Sequence, residues 1–261
     1  MDFENRTALV TGAGSGIGRA AAVQLARLGA TVVVVAHSED SAADTADAVT
    51  ATGGSAIPMA AELSDPAAVE ALYDEVAARC GSLDVVVANA GINGVWAPIG
   101  ELTPDEWTRT ISVNLTGTFL TVKYALPLLR AAGGGSVVVT ASVNGTRVFS
   151  NSGASAYSSS KAGQVAFTKM AAVELAKDRI RVNVVCPGSI ETEIGDNTEQ
   201  RNTEELRVRV DYPEGQIPLT GHVPGSSDQV ADLICFLASD ASSHITGTEV
   251  FVDGAQSLLI G

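Results

Sequence analysis

Seven short runs dominated by valine and other apolar residues recur along this chain, at 7–10, 31–36, 55–59, 83–88, 136–141, 181–185 and 249–252. Longer stretches with helical spacing separate them. The run Val32 to Val35 has no polar alternation, as expected of strands covered on both faces and not of strands with one wet face. Strands of this kind, joined through helices, build parallel sheets with right-handed crossovers. The pattern predicts an α/β fold: a doubly wound parallel sheet of about seven strands with helices on both faces. A chain of 261 residues with 46% hydrophobic content is long enough for one sizeable core, so a single domain spanning 1–261 is expected.

The helices carry readable boundaries. Ile17, Ala21, Leu25 and Leu28 form one stripe, and Gly29 supplies a stop. Asp65-Pro66 reads as an N-cap followed by the first helical position, ahead of Val69, Leu72, Tyr73 and Val76. Thr103-Pro104-Asp105-Glu106 has the form of a capping box, and Val230, Leu233, Ile234 and Leu237 form another stripe. One stretch breaks the alternation. From 191 to 223 no strand is predicted, and polar residues, prolines and glycines surround a short helix expected at 199–210. A long excursion inside a compact domain is commonly functional. Because it follows a strand end, it is expected to act as a substrate lid.

Composition narrows the function classes. A formal charge of −14 repels a phosphate backbone and argues against nucleic-acid binding. No apolar run reaches the roughly 18 residues that span a bilayer, and the N-terminal residues lack a basic segment followed by an apolar one, which predicts no secretory signal. Cys80, Cys186 and Cys235 are odd in number and widely separated, which suggests reduced thiols and a cytoplasmic location. His37, His222 and His244 are scattered without metal-ligand spacing, so no metal is expected.

Two motifs carry chemistry. In Thr11-Gly12-Ala13-Gly14-Ser15-Gly16-Ile17-Gly18 the glycines follow a predicted strand and open a predicted helix. Backbone amides and the helix N-terminus then face a pyrophosphate, the arrangement that binds a dinucleotide. Downstream, Tyr157 precedes Lys161 by four residues, so on a helix the two share a face. An ammonium beside the phenol favours phenolate and is expected to lower a pKa that starts at about 10. Such a phenol can donate or accept a proton near neutral pH. Asn89, Ser142 and Pro187-Gly188 each fall just after a strand, on the sheet edge where ligands of doubly wound folds bind.

The spacing Thr-Gly-x-x-x-Gly-x-Gly, together with Asn89-Ala90-Gly91, Asn114, Ser142, Tyr157-x-x-x-Lys161, Pro187-Gly188 and Val252-Asp253-Gly254, resembles the short-chain dehydrogenase/reductase family almost end to end. The resemblance implies a Rossmann-type fold, NAD(P)H as cofactor, and reversible oxidoreduction between a secondary alcohol and a carbonyl. It implies that Tyr157 is the general acid/base, that Ser142 hydrogen-bonds the carbonyl oxygen, and that Lys161 tunes the tyrosine and holds the nicotinamide ribose. Asn114 would hold a water that extends the proton relay. Negative charge on the reacting oxygen calls for preorganised donors, which the hydroxyls of Ser142 and Tyr157 can supply.

Implied cofactor contacts are Gly12, Gly14, Ser15, Gly16, Ile17 and Gly18 at the pyrophosphate, with Asn89, Ala90 and Gly91 below the adenine ribose. Glu62 and Leu63 stand where relatives carry an aspartate near the adenine. Pro187 and Gly188 lead to Ile190 and Thr192, which would meet the nicotinamide carboxamide. An acid at the end of the second strand selects NAD; here the strand ends in Ala36-His37-Ser38. His37 and Ser38 can donate to a 2′-phosphate, although neither Ser15 nor His37 is the arginine or lysine that would neutralise it. The balance tips to NADP(H) over NAD(H).

The segment 143–156 is slightly longer than typical of the family, which makes Asn144 and Phe149 candidate substrate contacts beside Asn93 and Trp96. A sugar, a polyol or a moderately apolar ketone is compatible with that mixture. Ala162, Val165, Ala166, Met170 and Val173 lie on the helix that bears Tyr157, a surface the family uses for subunit packing, and a homotetramer is expected. Two other readings share much of this pattern: a non-catalytic dinucleotide-binding sensor or scaffold, and a 3-oxoacyl-carrier-protein reductase. The strong negative charge disfavours an acidic carrier.

Overall fold

A computed structural model describes residues 1–206, 212 and 214–259, with the side chains of 196 and 197 excepted. Seven strands, β1 (Thr7–Thr11), β2 (Thr31–Ala36), β3 (Ser55–Ala60), β4 (Val85–Ala88), β6 (Gly135–Thr140), β7 (Ile180–Pro187) and β9 (Glu249–Val252), form one sheet in the order β3-β2-β1-β4-β6-β7-β9. Every pairing is parallel. Two further strands, β5 (Gly94–Trp96) and β8 (Thr198–Gln200), pair with each other outside this sheet. The helices are α1 (Gly16–Arg27), α2 (Glu39–Ala51), α3 (Pro66–Cys80), α4 (Pro104–Ile111), α5 (Gly117–Ala131), α6 (Ser155–Leu175) and α7 (Ser227–Ala238).

Register explains why the strands are apolar throughout. Val33, Leu9, Val86, Val137 and Val182 lie side by side across five strands. They share one buried cluster with residues of α3, α5 and α6. The next row, Val34, Val10, Val87 and Val138, belongs to the opposite cluster with residues of α1, α2 and α7. Each such buried side chain contributes about 1.5–3 kcal/mol. A polar substitution on either face would therefore enter a core. The doubly wound architecture predicted from the valine runs is the one observed.

Several helix starts behave as the sequence predicts. Asp65 caps α3 by accepting from the Ala67 amide at 2.9 Å, and Thr103 with Glu106 forms a reciprocal capping box. A second box, Ser226 with Gln229, opens α7. Strand β4 begins at Val85 and not at Leu83, because the Leu83 amide donates to Leu128 and the Asp84 amide donates to Thr7.

The stretch 191–223 departs from expectation. Residues 198–200 are strand β8 and not the start of a helix. A 3-10 turn occupies Glu204–Leu206, and the remainder of the helix expected at 199–210 lies outside the described residues. Strand β8 depends on pairing with β5, about a hundred residues earlier, and three residues are too few to show a period.

Among the described residues no helix is long and apolar enough to cross a membrane. No group of three or more His, Cys, Asp or Glu side chains is placed among them to hold a metal ion. The three cysteines are free thiols.

Candidate active site

The sheet order reverses between β1 and β4, where connections run outward in both directions. That switch point opens a crevice at the carboxyl ends of the two strands. Gly12 follows β1 and Asn89 follows β4, so the two predicted turns meet there. Asn89 Nδ2 donates to the carbonyls of Thr11 and Gly12 at 3.2 and 3.3 Å, and its backbone amide donates to Thr11 Oγ1 at 3.1 Å. These bonds tie the two turns together.

The glycines are required by close packing. Gly12 has φ +62, and a Cβ there would lie 2.7 Å from Ala90 Cα; a Cβ at Gly18 would lie 2.2 Å from the Gly12 carbonyl. Helix α1 starts at once after this turn with no side-chain cap and no acid in its first turn. Its first amides therefore remain free for an anion. An uncapped helix end behind a side-chain-free loop fits a dinucleotide pyrophosphate.

A cleft of about 590 Å³ runs from this loop across the sheet edge. It brings together Gly12, Gly14, Ser15, Gly16 and Ile17 with Asn89, Ala90 and Gly91, and continues to Pro187, Gly188, Ile190 and Thr192. His37 stands at one end, with Ser142, Tyr157 and Lys161 also lining the cleft. Gly18 lies behind the loop, packed on the Gly12 carbonyl.

Ser38 and Leu63 do not reach the cleft walls. Ser38 Oγ caps α2 through the Ser41 amide at 3.3 Å and is engaged with Ser41 Oγ at 2.8 Å. Leu63 is buried in the core. Glu62 also stays outside the cleft walls and stands 3.5 Å from His37 Nδ1. Its carboxyl is held below its ordinary pKa first by the Ser64 hydroxyl and amide. Sequence reasoning missed Arg19, Ser41 and Asp44, which line the same cleft. They lie on two helices, α1 and α2, so no local spacing links them to one another.

A second cleft of about 500 Å³ adjoins the first and shares Ser142, Tyr157, Gly188, Ile190 and Ile194 with it. Asn93, Trp96 and Asn144 line this cleft. Phe149 does not: it is 73% exposed, and its neighbours Val148, Ser150 and Asn151 face the cleft instead.

Tyr157 sits at the junction of the two clefts on the first turns of α6, hydrogen-bonded to Ser142. Burial pushes its phenol above the ordinary value, opposed by the Ser142 hydrogen bond. The expected lowering by Lys161 is absent from this arrangement. The Lys161 ammonium lies 5.6 Å from the ring centroid and donates to the Thr140 carbonyl at 2.9 Å. It therefore faces the ring and a backbone dipole, not the hydroxyl. Burial brings Lys161 itself down to about 8, because a charged amine is poorly solvated there.

Asn114 lies on a π-helical turn, Ser112–Thr116, between α4 and α5. Its Oδ1 accepts the Ile92 amide at 2.8 Å, and its Nδ2 donates to the Ile92 carbonyl at 2.9 Å and to Ser160 Oγ at 3.0 Å. A Cβ on Gly91 would stand 3.2 Å from Asn114 Oδ1 and 3.4 Å from Lys161 Nζ. Both groups thus border the same small space.

The description "Enoyl-(Acyl carrier protein) reductase" belongs to the family model that matches residues 12–255. A solved structure of a 3-ketoacyl-ACP reductase from Sinorhizobium meliloti 1021 superposes with a TM-score of 0.93 at 48% identity, covering 97% of this chain and 99% of that one. The cis-4-hydroxycyclohexanecarboxylate dehydrogenase of Sinomonas cyclohexanicum is 42% identical over 97% of this chain and 96% of its own. The cyclohexanol dehydrogenase of Acinetobacter sp. (strain SE19) is 37% identical over 97% and 95%. The chain belongs to the short-chain dehydrogenase/reductase family. It is an NAD(P)-dependent oxidoreductase that interconverts alcohols and carbonyls.

Proposed function

We propose that Ser142, Tyr157, Lys161 and Asn114 perform this oxidoreduction on a secondary alcohol or its ketone. The observation that carries the assignment is the position of the Ser142–Tyr157 pair where a dinucleotide-shaped cleft meets a second cleft. The cofactor, when bound, supplies hydride exchange at the substrate carbon. The residues proposed to hold it are Gly12 to Gly18, Asn89 to Gly91, Tyr157, Lys161, and the strand end Pro187, Gly188, Ile190 and Thr192.

Two hydroxyls converge on the reacting oxygen. Ser142 donates a hydrogen bond and Tyr157 delivers or takes the proton, stabilising charge as it develops on that oxygen. Lys161, with its depressed pKa, gives a proton to, and regains one from, a water held in the space it shares with Asn114. The second lone pair of Asn114 Oδ1 remains able to accept from water there, and the relay continues by that route.

Arg19 is a cleft guanidinium that adds to His37 in support of NADP(H) over NAD(H), against the opposing carboxylate of Asp44. Glu62 and Ser38 then act indirectly, by orienting His37 and by capping α2. The segment 191–223 is proposed as a lid: Ile194, Tyr212 and Gln216 line the second cleft.

A homotetramer is proposed from the stripe Ala162, Ala166, Met170 and Val173 on α6. Met170 is 73% and Val173 80% exposed, whereas Val165 turns inward into the core. A cytoplasmic location accords with three free thiols.

Carriage of an acyl-carrier-protein substrate is the second reading, favoured by the name of the Sinorhizobium meliloti relative. The charge of −14 weighs against an acidic carrier. The deciding experiment follows dinucleotide absorbance with a panel of secondary alcohols, ketones and an acyl-carrier thioester. Turnover of small alcohols, lost in Tyr157→Phe with dinucleotide affinity kept, supports the proposal; a Tyr157→Phe enzyme as fast as wild type overturns it.

A further inference from the structure

We infer that the second cleft takes a neutral, polyhydroxylated ring, a cyclic polyol or sugar, in preference to an anion or a plain hydrocarbon alcohol. This rests on the oxidoreductase reading and names the substrate class of the same site. The cleft holds about 500 Å³, within the size range of small-ligand pockets.

Its walls offer hydrogen bonds that the protein leaves unmade. Asn144 is only 8% exposed. Its Oδ1 accepts from Asn151 Nδ2 at 2.9 Å, yet no partner for its Nδ2 occurs among the described residues. The Tyr212 hydroxyl is buried and has no partner among the described residues, on the same cleft. Gln256 Oε1 accepts the Ser189 amide at 2.8 Å, leaving its Nε2 free among the described residues. Of the three the Tyr212 hydroxyl is the buried unsatisfied atom, a state that costs about 1–3 kcal/mol. A ligand rich in hydroxyls satisfies these groups, and a plain cycloalkanol does not.

One wall is flat and apolar. The Trp96 ring lies 6.5 Å from the Tyr157 ring, tilted by 42°, and its Nε1–H is already given to the Asn93 carbonyl at 3.3 Å. What it adds is an aromatic ring on the cleft wall close to Tyr157. A saturated ring with a C–H face and a hydroxylated rim matches that combination.

Charge completes the case. Among the described residues lining this cleft none is charged, and Lys161 lines the first cleft instead. Among the described residues a carboxylate or phosphate on the substrate would find no counterion on this wall.

The test uses the full-length enzyme with saturating dinucleotide and four probes: cyclohexanol, cyclohexane-1,2-diol, inositol and 4-hydroxycyclohexanecarboxylate. Turnover is measured with wild type. Binding is measured by calorimetry on the Tyr157→Phe holoprotein, so that affinity is read without chemistry.

A hydroxylated ring is expected to exceed cyclohexanol by about tenfold and the carboxylate by about a hundredfold, in binding and in kcat/KM. Asn144→Leu should shrink the ratio of diol to cyclohexanol by about tenfold. Tyr212→Phe, which removes one oxygen only, repeats the test with the fold undisturbed. Cyclohexanol or the carboxylate binding as tightly as the polyols overturns the substrate class and leaves the reaction standing. Polyol-selective binding with no turnover of any probe by wild type supports the class and overturns the reaction.

Discussion

Lys161 Nζ donates to the Thr140 carbonyl at 2.9 Å while standing 5.6 Å from the centre of the Tyr157 ring. The two side chains are one helical turn apart, yet the amine is spent on the end of β6 and the phenol on Ser142. Both groups are buried, and burial moves their pKa values in opposite senses: tyrosine up, lysine down to about 8. The site therefore inverts and widens a gap that is slight in water, leaving the amine the readier of the two to lose its proton.

Lys161 is a cost to the fold below its folded pKa. Its amine binds a proton less readily when folded, so between about 8 and its unfolded value of about 10.4 the unfolded chain holds more protons and stability rises with pH. The shift corresponds to about 3 kcal/mol, less about 1 kcal/mol for the Thr140 hydrogen bond. Lys161→Met should therefore melt higher than wild type at pH 7, by roughly 2 kcal/mol, and lose that advantage toward pH 10.5. Thermal melts across this range check it; a variant less stable at pH 7 contradicts the buried-amine account.

Ser142 should matter to rate far more than to cofactor affinity. Ser142→Ala removes one of two donors aimed at the reacting oxygen and is expected to lower kcat by about 10²–10³. Dinucleotide affinity, read by fluorescence titration, should stay within about threefold, less than 1 kcal/mol. Equal losses in both would make Ser142 a binding residue instead.

Cofactor choice should turn at His37. Its side chain is 85% exposed at the end of β2, where an acid would bind a ribose 2′-hydroxyl and repel a 2′-phosphate. His37→Asp is expected to move the ratio of kcat/KM for NADPH over NADH toward NADH by about 10²-fold, the effect of roughly 3 kcal/mol. An unchanged ratio would assign selection to Arg19 and Asp44.

Arg201 anchors the segment after β8. Its guanidinium meets both Glu106 oxygens at 2.9 Å and the Glu101 carbonyl at 2.7 Å. Glu106 is held down to about 2, first by Arg201 and then by the Thr103 amide. A lowered carboxylate stabilises above its unfolded pKa and loses that contribution as pH falls toward 2. Arg201→Gln should speed proteolytic cleavage between 198 and 206 at pH 7 and raise KM. In wild type the same cleavage should accelerate only below about pH 4.5, where unfolded carboxylates begin to protonate. Identical digestion patterns in the two proteins would remove Arg201 as an anchor.

Much of this protein is legible from local order. The valine runs, the caps at Asp65 and Thr103, and the glycines between β1 and α1 depend on neighbours a few residues apart, so periodicity and backbone geometry suffice to identify them. Ser142, Tyr157 and Lys161 are legible because strand ends and one helical turn place them. What stays hidden depends on distance along the chain. Strand β8 exists only against β5, Arg19 and Asp44 join the cleft only when α1 and α2 pack side by side, and Phe149 turns outward while Asn151 turns in. The amine of Lys161 is the sharpest instance. Its spacing from Tyr157 is written in the sequence, but its hydrogen bond, and with it the sign of the phenol's shift, follows from the depth of burial and the carbonyl at the end of β6. Solvent exclusion is a property of the whole packed chain, and no local pattern encodes it.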